Sequence, residues 1–259
     1  SYMIDYFIDK ELQPVRTLIF LLMPLMAGLA PPCPAQEIAK LEKPECVILL
    51  HGLIRTSKSM KVIADALREE GFHVVNQDYP SRKFSIEELS TIAIDNGLAS
   101  CRTAGAQHVH FVTHSLGGIL VRYYLSEKAI PELGRTVMLA PPNQGSSLVD
   151  LMRMFPELED ISGPAGYQLG TTEDSIPARL GPAKFEVGII AGDRTVSPVM
   201  SEYLEKPNDG KVTVESTRLE GMTDFLVVPQ SHPFIMSNKS VIGQVIYFLY
   251  FGEFSKPDP

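Results

Sequence analysis

From residue 45 onward the apolar positions follow two alternating patterns. Short, nearly continuous apolar runs recur: "ECVILLHG", "FHVVNQDYP", "HFVTH", "RTVMLAPP", "KFEVGIIAGD" and "DFLVVP". Each is rich in β-branched or aromatic residues and is bounded by Gly, Pro or polar residues, so each predicts a buried strand. Segments of helical period lie between them. "SMKVIADALREEG" puts Met60, Ile63, Ala64 and Leu67 on one face and stops at Gly71, a residue suited to a helix C-terminus. "SIEELSTIAIDNGLASCRTAG" opens with Ser85 three residues before Glu88, the spacing of a capping box. "SVIGQVIYFLYF" predicts a closing helix. Apolar strands alternating with amphipathic helices predict an α/β fold with a parallel sheet covered on both faces.

One junction is abrupt. In "HFVTHSLGGILVRYYL" the strand residues Val109, Phe111 and Val112 give way at once to Ile119, Leu120, Tyr123 and Tyr124 at helical spacing. Ser115 stands at the corner. A serine hydroxyl becomes a nucleophile when it projects clear of the backbone, meets a base and stands at a helix N-terminus. The Gly-x-Ser-x-Gly elbow provides this, with small residues on either side so that strand and helix can approach. Gly117 fills the second small position and Thr113 replaces the first. The structural alternative is a plain strand-to-helix turn with Ser115 as N-cap.

Active sites of parallel sheets form at the carboxyl ends of the strands. The loops expected there carry His51-Gly52, Ser115, Asp193 with Asp209, and His232. A serine hydrolase needs a base, a carboxylate to orient it, and donors for the oxyanion, in the chain order Ser, acid, His. Of six histidines only His232 follows Ser115. Two acids compete. Asp193 directly follows its strand, whereas Asp209 sits in "KPNDGKVTVES", where Gly210 makes a tight turn. Residue pattern alone leaves both open. The oxyanion donors expected are the backbone N–H groups of Leu116 and Leu53, with His51 and His114 in structural or shaping parts.

The chain has 259 residues, 44% apolar, which suits one sizeable α/β domain. A net charge of −8 without a basic cluster interleaved with aromatics excludes nucleic acid as an expected partner. Residues 1–36 differ from the rest. Lys10 and Arg16 precede "TLIFLLMPLMAGLA", and Cys33 and Ala35 end the segment. This reads as a secretory signal followed by a 37–259 domain, hence an exported protein, periplasmic or secreted. The alternative is a membrane anchor over residues 17–30. Cleavage would leave Cys46 and Cys101, either joined in a disulfide or buried as thiols.

Taken together, "VILLHGL", "VTHSLGGILVRYYL", "APPNQGS", "NDGKVTVEST" and "SHPF" resemble the bacterial esterase and lipase branch of the α/β-hydrolase family over about residues 44 to 250. The resemblance implies an α/β-hydrolase fold and hydrolysis of small-molecule or lipid carboxylic esters with no metal or organic cofactor. In similar bacterial lipases the acid lies in an Asn-Asp-Gly turn well beyond its strand, which favours Asp209. The implied site is then Ser115, His232 and Asp209, with Leu53 and Leu116 at the oxyanion. An acyltransferase or thioesterase would use the same residues, and a membrane-tethered binding protein on the same scaffold is the reading from another class. Gly- and Pro-rich residues 143–183, without a clear long period, occupy the place where this family inserts a cap or lid. Met152, Met154, Phe155, Leu158 and Ile161 are expected there to line or gate an acyl pocket, or to pack on the sheet.

Overall fold

Each of the six apolar runs forms a strand in the computed structural model, which describes residues 45–155 and 159–256, with backbone only at 159 and 160. The strands are β1 (Cys46–Leu50), β2 (His73–Gln77), β3 (Val109–His114), β4 (Leu133–Leu139), β5 (Val187–Gly192) and β6 (Asp224–Val228). They form one sheet in the order β2-β1-β3-β4-β5-β6, every pair parallel. Parallel pairing forces each connection to cross over the sheet, which is why helices lie between the strands.

Side-chain alternation along β1 feeds two cores. Val47 and Leu49 join the cluster under α1 (Lys61–Glu69) and the C-terminal helix Lys239–Phe251. Cys46, Ile48 and Leu50 join the opposite cluster, under α2 (Ile86–Thr103) and α3 (Leu116–Glu127). All five are fully buried, and each large apolar side chain so placed contributes roughly 1.5–3 kcal/mol. The helix signals operate as read. Ser85 Oγ accepts the Glu88 N–H at 3.3 Å while Glu88 accepts the Ser85 N–H at 3.1 Å, and Gly71 ends its helix at φ +96°.

Cys46 and Cys101 form a disulfide across the β1–α2 layer. It closes a loop of 55 residues, a constraint on the unfolded chain of about 4 kcal/mol in the chain-entropy account.

Residues 143–183 are more ordered than their lack of period suggests. They hold α4 (Ser147–Arg153), α5 (Glu159–Tyr167) and α6 (Ile176–Arg179). These helices are short, and α5 is kinked at Gly163, just before Pro164, so no long apolar period could show in the sequence. Leu148, Ala165, Leu169, Ile176 and Pro177 are buried apolar residues among the described part of the segment. Met154, Phe155 and Ile161 do not pack on the sheet: they are 73%, 46% and 50% exposed. Leu158 lies outside the described residues, as do the expected signal over 1–36 and its anchor alternative over 17–30. Among the described residues no helix is long and apolar enough to cross a membrane.

The short helices of the downstream loops are α7 (Pro198–Ser201) and α8 (Val214–Thr217), and Lys239–Phe251 is α9.

Candidate active site

The turn at Ser115 is as tight as its sequence requires. Ser115 takes φ +53° and ψ −120° between the last residue of β3 and the first of α3. A non-glycine residue in such backbone costs on the order of 1–3 kcal/mol and persists where the surroundings hold it. Here the Ser115 N–H donates to Leu139 O at 2.9 Å and its carbonyl accepts the Gly118 N–H at 3.0 Å. A Cβ on Gly117 would lie 2.6 Å from Leu50 O, so only glycine lets α3 approach β1 this closely. Thr113, in the other small position, is fully buried and packs near Gly118.

The loop after β1 closes on this turn from the side. A Cβ on Gly52 would meet the Ser115 Cβ at 3.2 Å and His114 Nδ1 at 2.8 Å. Among the described residues neither Leu53 nor Leu116 gives its backbone N–H to a protein acceptor. Two free donors therefore flank the serine. His51 serves the structure of this loop, because its ring stacks on Tyr79 at 4.0 Å and its Nδ1 lies 2.9 Å from Gly52 O. Burial pushes its pKa below the usual histidine range.

Along the same rim, Asp209 and His232 meet. His232 Nδ1 lies 2.7 Å from Asp209 Oδ2, and the His232 backbone N–H donates to Asp209 O at 3.1 Å. Asp209 is 1% exposed. Its other oxygen accepts the N–H groups of Lys211 and Val212 at 2.9 and 2.8 Å. The turn itself is pinned by Asn208, whose Oδ1 accepts the Gly210 N–H at 3.0 Å and the Ser201 hydroxyl at 2.9 Å. Gly210 has φ +93°, and a Cβ there would lie 2.5 Å from Thr195 Oγ1. Asp193 is not brought to the histidine. It forms an ion pair with Arg194 at 3.6 Å, and its N–H donates to Val228 O.

Two contacts were not legible beforehand. His114 Nε2 lies 3.0 Å from the His232 carbonyl oxygen, with ring centroids 4.7 Å apart. The fit requires Nε2–H as donor, so His114 holds the His232 loop against the Ser115 turn. Burial, then the neighbouring His232, depress its pKa well below the ordinary range, so it is neutral. Arg122 is the second. It is 5% exposed and donates to Asn143 O and Gly181 O, each at 2.8 Å. One buried guanidinium thus ties both ends of the 143–183 segment to α3, and burial lowers its pKa to about 10. A lone cation in the apolar run "GGILVRYYL" was the available signal.

The inserted segment also reaches the rim. A Cβ on Gly166 would lie 2.9 Å from Leu53 Cδ2, and one on Gly163 2.1 Å from Arg82 O. Gln168 accepts the Ile86 N–H at 2.7 Å, so α5 sits on the start of α2 and beside the Leu53 loop.

Residues 45–190 match the family model described as the alpha/beta hydrolase fold. A sequence search of curated proteins found no match. Among solved structures, a Bacillus licheniformis lipase in its mature form is similar at 20% identity and TM-score 0.62, over 81% of this chain and 92% of that one. Its propeptide form gives 19% identity and TM-score 0.66, over 84% of this chain, which spans only about half, 52%, of that one. A thermophilic esterase from Thermogutta terrifontis is similar at 15% identity and TM-score 0.51, covering 79% of this chain and 89% of its own.

Proposed function

From the premise that this chain belongs to the α/β-hydrolase family, we propose that it is a serine hydrolase of carboxylic esters acting through Ser115, His232 and Asp209. The observation that carries the reading is the buried Asp209–His232 hydrogen bond, 2.7 Å long, on the same rim as the strained Ser115 turn. In this reading Ser115 Oγ attacks the ester carbonyl and His232 Nε2 takes its proton. Asp209 holds Nδ1–H, which fixes the tautomer and stabilises the imidazolium. The N–H groups of Leu53 and Leu116 receive the oxyanion of the tetrahedral intermediate. His232 returns the proton to the leaving alcohol, and water then releases the acyl group by the same steps in reverse.

The substrates proposed are small-molecule or lipid esters of short to medium acyl length, because the inserted helices are few and short. Export is proposed with it: the Cys46–Cys101 disulfide is the kind of bond that persists in oxidising compartments. A fluorophosphonate probe should label the protein at Ser115 and fail to label Ser115→Ala. Ester turnover by Ser115→Ala at more than about one hundredth of the parent rate would overturn the reading, since loss of the nucleophile costs on the order of a millionfold.

A further inference from the structure

An open cavity of about 680 Å³ lies at the carboxyl ends of β1 and β2, lined by residues 54–56 and 78–83. Its walls carry three cations, Arg55, Arg82 and Lys83, and one acid, Asp78. In a chain of net charge −8 this is a local reversal of sign. The acid is already engaged: Asp78 Oδ1 accepts the Ser57 N–H at 2.8 Å and lies 3.5 Å from His51 Nε2. Among the described residues Arg55 and Lys83 form no ion pair.

The backbone of the wall is held in an unusual state. Ile54 has φ +60°, a left-handed conformation that is an outlier for a β-branched residue. Its N–H donates to Ser81 Oγ at 3.1 Å. Ser81 is buried and its own N–H donates to Tyr79 O at 2.9 Å. The result is an Ile54 side chain left 52% exposed on the cavity wall beside Arg55. A strained turn that displays an apolar group and a guanidinium together suits an amphiphilic ligand with a negative end.

Position connects this cavity to the chemistry. β2, β1 and β3 are neighbours, and Gly52, two residues before the cavity wall at Ile54, comes so near the nucleophile turn that a Cβ on it would lie 3.2 Å from the Ser115 Cβ. The Arg55 charge is also one of the influences on His114, the residue next to the nucleophile.

We propose that this cavity is a substrate subsite that holds an anionic group, carboxylate or phosphate, on an ester whose carbonyl lies at Ser115. Arginine donors match both groups in fork geometry. The proposal rests on the serine-hydrolase reading above and names the substrates of that site.

Two matched pairs of esters test it. One pair is soluble: the 4-nitrophenyl ester of octanoic acid and that of its ω-carboxylated counterpart. The other is lipid: a 1-monoacylglycerol and the 1-acylglycerol 3-phosphate of the same chain, both below micelle concentration. The readout is the ratio of kcat/KM for the anionic over the neutral member, taken within each variant so that general losses cancel. The parent should prefer the anionic member of at least one pair by about tenfold, and the preference should shrink as salt rises from about 0.01 M to about 1 M. Arg55→Gln combined with Lys83→Gln should bring the ratio near one, while Lys61→Gln combined with Arg68→Gln, a removal of the same two charges from exposed positions of α1, should leave it at the parent value. Which pair responds tells whether a lipid headgroup or a soluble acid supplies the anion. A parent ratio near one for both pairs, or a ratio unchanged by the double variant, overturns the subsite. Neutral-ester turnover that survives Ser115→Ala overturns the serine-hydrolase reading instead, and the two failures are told apart by fluorophosphonate labelling.

Discussion

Two aspartates leave the same end of β5 and take up opposite duties. Asp193 stands at the strand end, where a carboxylate reaches the rim by the shortest path. It finds Arg194, 67% exposed, at 3.6 Å. Asp209 arrives after a long excursion and is sealed in the interior, accepting two backbone N–H groups and the imidazole of His232. Nearness to a strand end puts an acid in the right region. Orientation comes from hydrogen bonds that the surrounding loop gives to the carboxylate: Asp209 accepts two of them, whereas Asp193 Oδ1 accepts none among the described residues.

The sharpest way to break this contrast is to neutralise each acid in turn. Asp209→Asn should fold and lose about four orders of magnitude in kcat on an activated ester, because His232 would then be held in the wrong tautomer. Steady-state kinetics beside circular dichroism checks both halves. A smaller loss than about tenfold would show that the contact orients nothing.

Gly210→Ala attacks the turn and leaves the carboxylate in place. Positive φ and a close approach to Thr195 Oγ1 make alanine incompatible with this backbone, so the replacement should destabilise by more than about 1 kcal/mol. The turn would shift, so kcat should fall by about ten- to a hundredfold with KM little changed, in keeping with the cost of a small misplacement. Urea unfolding and kcat/KM measured on the same sample separate the two effects.

The pH dependence of stability reports on the His114 contact that holds the His232 loop. Both His114 and His51 have folded-state pKa values below the ordinary 6.5. As pH falls through about 6.5 the unfolded chain therefore takes up protons that the folded one refuses. Stability should be full above that pH and decline below it, by up to about 1.4 kcal/mol per pH unit for each histidine. Urea midpoints from pH 8 to pH 5 measure the slope, and His114→Asn should flatten part of it.

Asp193→Asn completes the series with the smallest effect. An ion pair to a largely exposed arginine is worth about 0–1 kcal/mol, so stability should move within that range and kcat by less than about threefold. A rate loss like that of Asp209→Asn would reverse the assignment.

The same contrast explains what could be read in advance. Six strands, the Ser85–Glu88 cap and the Ser115 corner were visible because each is written in residues within a few positions of one another. Chain order singles out His232 as the expected base. The pair Asp193 and Asp209 could not be separated by pattern, because both lie in rim loops, and only likeness to bacterial lipases favoured the second. The helices α4 to α6 escaped because α5 is broken by the kink at Gly163, while α4 and α6 have only seven and four residues, too few to repeat an apolar period. The exposed Met154, Phe155 and Ile161 show that apolar residues in such a segment do not announce where they point.

The sequence by itself determined the periods, the caps and the residue types at each strand end, since these depend on neighbours within a turn or two of chain. Tertiary structure alone decided the contacts between distant loops: Asp209 on His232, His114 on the His232 carbonyl, Arg122 across both ends of the insertion, and Cys46 on Cys101. Each joins groups between 21 and 118 positions apart. Their meeting depends on the strand order and on how closely Gly52, Gly117 and Gly192 let the backbones approach. Local pattern carries no record of that distance, because many loop paths join the same strands and only packing and hydrogen-bond satisfaction select one of them.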